Sequence, residues 1–149
     1  MSDTARVLLT ASVLTLSGLA LYTWRLTRLD ATGPGRLVGQ LRLTQYAALL
    51  LAATAAVSIG LAIANESSPL GTVEVTIAVA FILLSGFVLH REPRDGLLLV
   101  AGGFVLHALT DIAHRPGLLW PGYAPRWFAV GCAVFDISIA ALCYWATRR

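Results

Sequence analysis

Apolar residues run along this chain in long blocks, unlike the short periodic groups of a soluble domain. Five blocks reach the length of about 20 residues that an α-helix needs to cross a bilayer. They run from about Val7 to Trp24, Leu43 to Ala64, Leu70 to Leu89, Gly96 to Ala113 and Trp127 to Ala146. Clusters of Gly, Pro and Ser separate the blocks and mark turns. The pattern predicts an all-α polytopic bundle of five transmembrane helices, with residues 1–149 as a single domain.

The composition supports this interpretation. Hydrophobic residues make up 57% of the chain and charged residues 13%, and the mean hydropathy is +0.74. An average soluble domain carries about 25% charged residues. Disorder is excluded, since disordered chains are poor in apolar residues and rich in charge. The composition also argues against a soluble globule, because too few polar residues are present to cover its surface.

The arginines set the expected orientation in the membrane. All 11 basic residues are arginine; eight lie after the first block, after the third block or in the C-terminal tail, and three lie on the opposite side. Positive residues concentrate on the cytoplasmic side of membrane proteins. We therefore expect a multi-pass protein of the bacterial inner membrane with its N-terminus outside and its C-terminus in the cytoplasm. Because these charges alternate with apolar runs, nucleic acid is not an expected partner.

The first block could alternatively be a secretory signal. A signal peptide carries its positive charges before the apolar stretch. Here they follow it, at Arg25 and Arg28. An uncleaved helix is the better interpretation.

Ionisable residues inside the blocks mark the candidate site. His107, Asp111 and His114 are spaced i, i+4 and i+7, so they share one face of the fourth helix. The fifth block carries Asp136, and the third carries Glu74 near its start. At about 1.5 Å rise per residue, the group falls at overlapping depths in the outer half of the bilayer, with His114 at the surface. An ionisable residue costs about 2.5–3.5 kcal/mol at the centre of a membrane helix, which points to function.

Imidazole and carboxylate groups are ligands for zinc, iron, manganese and copper. The pattern predicts His107, Asp111, His114 and Asp136 as ligands of a divalent metal, zinc or iron first. Glu74 and Asp136 are the candidate catalytic groups, with Glu74 as a further ligand or the general acid/base. Three other interpretations stay open: acid–base catalysis without a metal, a proton or ion pathway, and polar pairs that only fasten helices together.

The last part of the chain also carries a two-span motif. His107-Ala108-x-x-Asp111-x-x-His114 precedes a loop rich in Pro and Trp, and Cys132-x-x-x-Asp136-x-x-x-Ala140 follows. This segment resembles a family of small uncharacterised bacterial integral-membrane proteins with H-A-x-x-D-x-x-H-H and C-x-x-x-D-x-x-x-A on consecutive spans. The resemblance covers the C-terminal quarter and departs at Arg115, where the family often has a second His. It implies one shared site and no particular reaction.

The leading hypothesis is a membrane-embedded enzyme with a polar, metal-binding site that acts on a lipid or another apolar substrate. The expected partners are membrane lipid and a lipid-soluble substrate, within a homo-oligomer or a larger membrane complex. The two alternatives are a non-catalytic accessory subunit of such a complex and a small ion or proton transporter. A haem held by this chain alone is disfavoured, since His107 and His114 lie on the same helix face.

Overall fold

The computed structural model describes residues 2–64, 71–113 and 126–148 and places five α-helices in them. In chain order they are α1 (Asp3–Leu26), α2 (Pro34–Ala64), α3 (Gly71–Val88), α4 (Pro93–Ala113) and α5 (Arg126–Thr147). All five are long and apolar enough to cross a membrane, and the described residues contain no strand. The prediction of an all-α bundle with five membrane-type helices is confirmed.

Helix α2 is the centre of the bundle and contacts each of the other four helices. Helix α4 packs against α2, α3 and α5, while α1 lies against α5 and α2. The fully buried core side chains come mainly from α2, α4 and α5, among them Leu51, Phe104 and Ile139. Alanines such as Ala47 and Ala48 are buried beside them and let the helix backbones approach closely. This packing holds α4 and α5 side by side.

The outer surface of the bundle is apolar. Large side chains such as Leu14, Leu49 and Leu83 are exposed on three different helices. Soluble monomers rarely expose contiguous apolar surface on this scale. The surface suits solvation by lipid tails, in agreement with the hydropathy of the sequence.

Helix α2 begins at Pro34, nine residues before the expected boundary at Leu43. Proline is well suited to the first turn of a helix, because its fixed φ is already helical and the N–H it lacks would have no partner there. Two polar residues in this extension find partners on α5. Arg36 donates from Nη2 to the carbonyl of Arg148 at 3.3 Å, and Gln40 donates from Nε2 to the carbonyl of Ala146 at 3.0 Å.

These two bonds explain why α2 begins earlier than the apolar block predicts. The last carbonyls of a helix have no partner within that helix. Arg36 and Gln40 supply donors to the end of α5, and Arg36 is buried as a result. The sequence places this arginine in a polar loop, whereas the fold uses it inside a helix that extends past the apolar block.

Helices α2 and α4 are in tight contact at Gly96. A Cβ atom on Gly96 would lie 2.8 Å from Cγ2 of Thr44 and 3.3 Å from the carbonyl oxygen of Val88. Thr44 has little freedom to move away, since its hydroxyl lies 2.9 Å from the carbonyl of Gln40 and 3.2 Å from that of Pro93. The absence of a side chain at Gly96 therefore sets the distance between the two helices.

We predict that Gly96→Ala destabilises the protein by about 1–3 kcal/mol, the usual range for overpacking a tight contact. Gly102→Ala on the same helix is the matched control, because no atom lies within 4 Å of the added Cβ. Thermal unfolding of both variants in detergent measures the difference. Equal melting temperatures for the two variants would show that the α2–α4 contact is not tight.

Candidate metal site

The centre of the candidate site is a hydrogen bond between α4 and α5. Nδ1 of His107 lies 2.6 Å from Oδ2 of Asp136. His107 is 4% exposed and Asp136 is 0% exposed. Asp136 faces the interior because Ala133, Ile139 and Ala140, about one turn away on either side, are also buried. Both groups are thus in an apolar environment, where their mutual bond is strong.

Asp111 adds a second carboxylate to this pair. It follows His107 by one helical turn, and its Oδ2 lies 3.7 Å from Nδ1 of His107. His107, Asp111 and Asp136 each offer one ligand atom, and these atoms lie within 4.8 Å of one another. A group of this composition and size could hold a metal ion.

The second oxygen of Asp136 is a further feature of the site. Among the described residues, no group hydrogen-bonds Oδ1 of Asp136, although that atom is buried. A buried carboxylate oxygen without a partner costs free energy comparable to the loss of a hydrogen bond or more. A cation or a proton at this oxygen would remove the cost.

The short His107–Asp136 distance limits how a metal can bind. Two ligand atoms on the same tetrahedral zinc are about 3.3 Å apart, given bonds of about 2.0–2.2 Å. Two arrangements satisfy this constraint. Either the pair opens and both residues ligate the ion, or Asp136 keeps its hydrogen bond to Nδ1 and orients His107 to ligate through Nε2.

A small pocket adjoins the histidine between α2, α3 and α4. The volume open to the centre of a water molecule is about 10 Å³, which is room for roughly one water molecule or ion. It is lined by the polar residues Ser58, Glu74, His107, Thr110 and Asp111 and by the apolar residues Ile77, Ala78 and Phe81. The pocket brings a third carboxylate residue next to the group.

The apolar wall of the pocket fixes the orientation of the histidine. The ring of Phe81 packs edge-on against that of His107, with the centroids 5.0 Å apart and the planes at 69°. Together with the bond to Asp136, this contact holds the imidazole from two sides. A held imidazole is what a metal ligand or a general base requires.

The predicted site residues fall into three groups. His107, Asp111 and Asp136 lie together, as their spacing and depth indicated. Glu74 is buried and lines the same pocket as His107 and Asp111. His114 lies outside the described residues, so its place in the ligand set stays a prediction.

Sequence reasoning did not place several residues of the pocket lining at the site, and Phe81 and Ser58 are the most informative of these. Phe81 is one of many apolar residues on α3, and nothing in the sequence distinguishes it. Ser58 is a serine of the kind that commonly lies at contacts between membrane helices. Its hydroxyl donates to the carbonyl of Thr54 at 3.5 Å, within its own helix. Only the packing of α2 against α3 reveals that it faces the ionisable group.

Comparisons with known proteins add no family or fold to this picture: a scan against protein-family models found no match, and neither did searches of the curated proteins and of the solved structures. The function must therefore be inferred from the residues of the site. The resemblance of the C-terminal quarter to small bacterial membrane proteins stays a prediction.

We predict that His107 and Asp136 are energetically coupled. His107→Leu or Asp136→Leu alone leaves a buried polar group without its partner, which typically costs about 3–5 kcal/mol. The double variant should cost less than the sum of the two single variants, with a coupling of about 1–3 kcal/mol. Unfolding in detergent with a metal chelator present measures this cycle. Additive effects would show that the hydrogen bond contributes nothing to stability.

Proposed function

We propose that this protein is a membrane-embedded enzyme that binds a divalent metal, zinc or iron, and acts on a lipid or another apolar substrate. The observation that carries the proposal is the group of His107, Asp111 and Asp136, whose ligand atoms lie within 4.8 Å of one another. A set of three protein ligands leaves a coordination position open, as in catalytic zinc sites. His114 is proposed as a further ligand, and with four protein ligands an open position requires an ion that binds five or six ligands, such as iron.

The surroundings of this group support catalysis by water. His107, Asp111 and Asp136 would hold the ion, which would supply a water of lowered pKa that can act as a nucleophile near neutral pH. The adjoining pocket has room for about one water molecule, and Glu74 lines it. We assign Glu74 the role of general acid/base, which takes the proton of that water and returns it to the leaving group.

The class of substrate follows from the location of the site. The helices around it are apolar on their outer surfaces, so compounds dissolved in the bilayer reach the bundle more readily than polar solutes do. The pocket itself is too small to enclose a lipid. We therefore propose that only the reacting group of the substrate, an ester, amide or phosphoryl group, approaches the metal.

A proton or ion pathway is the second candidate function. It is favoured by the same pocket, in which Glu74, His107 and Asp111 line a space for about one water molecule. Buried chains of carboxylates and imidazoles carry protons in membrane proteins. This function needs no metal, which separates it from the first.

Orientation places the site relative to the two sides of the membrane. We propose that α1 begins outside the cell and that α5 ends in the cytoplasm, because eight of the 11 arginines lie in or near the α1–α2 connection, the α3–α4 connection and the C-terminal tail. The protein would then lie in a bacterial inner membrane. The site, towards the other end of the bundle, would lie in the outer half of the bilayer.

We predict that the turn between α1 and α2 is cytoplasmic. Single cysteines at Thr4 and Ala31, two exposed positions, test this in a protein that lacks Cys132 and Cys143. In intact bacterial spheroplasts, a membrane-impermeant maleimide should label Thr4→Cys, and it should label Ala31→Cys only after lysis. Labelling in the reverse order would invert the orientation and move the site to the cytoplasmic half.

We predict near-stoichiometric zinc or iron in the detergent-purified protein without a polyhistidine tag. His107→Ala and Asp111→Asn should lose the metal, because each removes a ligand. His90→Ala is the matched control, since His90 is an exposed histidine at the opposite end of α4. Elemental analysis of the four proteins gives the result. Lack of metal in the wild type would rule out the metal enzyme and favour the proton pathway, with a proton flux in liposomes as its measure.

Asp136→Asn separates the two metal arrangements. If Asp136 is a ligand, this variant should lose the metal as fully as His107→Ala. If Asp136 orients the imidazole, affinity should fall by about 10–100-fold and the metal should return at high concentration. Unchanged affinity would exclude Asp136 from both roles.

A further inference from the structure

Three helices end at the same side of the bundle, and each ends with an aromatic residue paired with an arginine. The last turns of α1, α3 and α5 each carry an aromatic residue, and an arginine follows four positions later. The pairs are Trp24 with Arg28, Phe87 with Arg91 and Tyr144 with Arg148. The guanidinium carbon lies over the ring in each pair, at 5.2, 4.2 and 4.6 Å from the ring centroid. We call the three arginines the arginine collar.

The rings of these pairs face outwards. Trp24 and Phe87 are each 46% exposed and Tyr144 is 47% exposed, so half of each residue lies on the surface that meets lipid. Aromatic residues at helix ends lie at the boundary between acyl chains and headgroups. The cation–π contact then holds each guanidinium at headgroup depth, just beyond the end of its helix.

The collar arginines also keep their charge for an external partner. Within the described residues, none of the three has a carboxylate within 4 Å, whereas Arg6 at the other end of the bundle lies 3.6 Å from Asp3. Arg148 donates to the hydroxyl of Tyr144 at 3.0 Å, which holds it against the ring without neutralising it. Held, unneutralised guanidinium groups at headgroup depth are suited to phosphate, which they bind in a bidentate manner.

We propose that the arginine collar binds the phosphodiester groups of anionic phospholipids in the leaflet at this end of the protein. Helices α1 and α5 pack together, while α3 lies apart from both across α2 and α4. The collar therefore contacts lipid on more than one side of the bundle. The proposal is independent of the metal site, which lies towards the opposite end.

Lipid binding to the full-length protein in detergent tests the proposal. Short-chain phosphatidylglycerol, phosphatidylcholine and inorganic phosphate are titrated separately, and native mass spectrometry measures the bound lipid. The wild type should bind phosphatidylglycerol at least tenfold more tightly than phosphatidylcholine. The variant R28Q/R91Q/R148Q should bind phosphatidylglycerol more weakly by a factor on the order of 100.

The matched control removes the same charge from arginines that lie over no ring among the described residues. R25Q/R42Q/R94Q changes three exposed arginines at the same end of the bundle and should keep the preference for phosphatidylglycerol. A second variant, W24L/F87L/Y144L, keeps all charges but removes the rings, and it should weaken phosphatidylglycerol binding several-fold. It also keeps the test valid if the triple arginine variant does not fold.

Three results would overturn the proposal. The collar variant could keep its preference for phosphatidylglycerol, which would place lipid binding elsewhere. The control could lose as much affinity as the collar variant, which would show that net charge alone is responsible. Inorganic phosphate could displace phosphatidylglycerol at equal concentration, which would indicate a site for a soluble anion.

Discussion

The hydrogen bond between His107 and Asp136 is the interaction on which the site and the packing of α4 against α5 both depend. Each group would be costly in an apolar interior by itself, and each is tolerated because the other is present. The bond also selects which ring nitrogen of His107 is engaged. Side-chain pairing, helix packing and chemistry therefore cannot be varied separately at this point of the fold.

The same bond sets up a competition between a proton and a metal. In the present geometry the 2.6 Å contact is a hydrogen bond with its proton between Nδ1 of His107 and Asp136, and Oδ2 of Asp111 lies 3.7 Å from the same nitrogen. A cation that enters must either replace that proton or use the other nitrogen. The first route leaves two carboxylates and one neutral imidazole around the ion; the second keeps Asp136 as a hydrogen-bonded support. Because a structural pair needs neither the second carboxylate nor the pocket beside it, the presence of Asp111 and Glu74 favours a functional site.

Much of this architecture could be predicted from the sequence because a bilayer imposes simple rules. The apolar blocks indicate the five helices, and the i, i+4 spacing places His107 and Asp111 on one face. The meeting of these two with Asp136 could be predicted from depth alone, since consecutive helices with short connections have limited freedom. Depth does not fix rotation about the helix axis, however. The direct contact of His107 with Asp136 and the position of Glu74 across the pocket required the packed helices.

The start of α2 could not be predicted for a different reason. Hydropathy treats Arg36 as a residue that needs water, but the carbonyls at the end of α5 satisfy it instead. The partner lies 112 positions away in the sequence, and no local pattern carries that information. The same limit applies to Ser58 and Phe81, whose roles depend on neighbours from other helices. An ionisable residue inside an apolar block can be recognised from the sequence. A common residue such as Ser58 or Phe81, whose role depends on contacts with other helices, cannot.

The two hydrogen bonds from Arg36 and Gln40 to the end of α5 affect the order in which the bundle assembles. Arg36 and Gln40 leave the ribosome early, yet the carbonyls that they bind lie at the C-terminal end of α5, in Ala146 and in Arg148 just after the helix. During synthesis the start of α2 must therefore stay hydrated at the membrane surface while three more helices insert. Arg36 becomes buried only when α5 arrives. Helix α5 also brings Asp136 to His107. The burial of Arg36 and the completion of the site therefore belong to the same late step of folding.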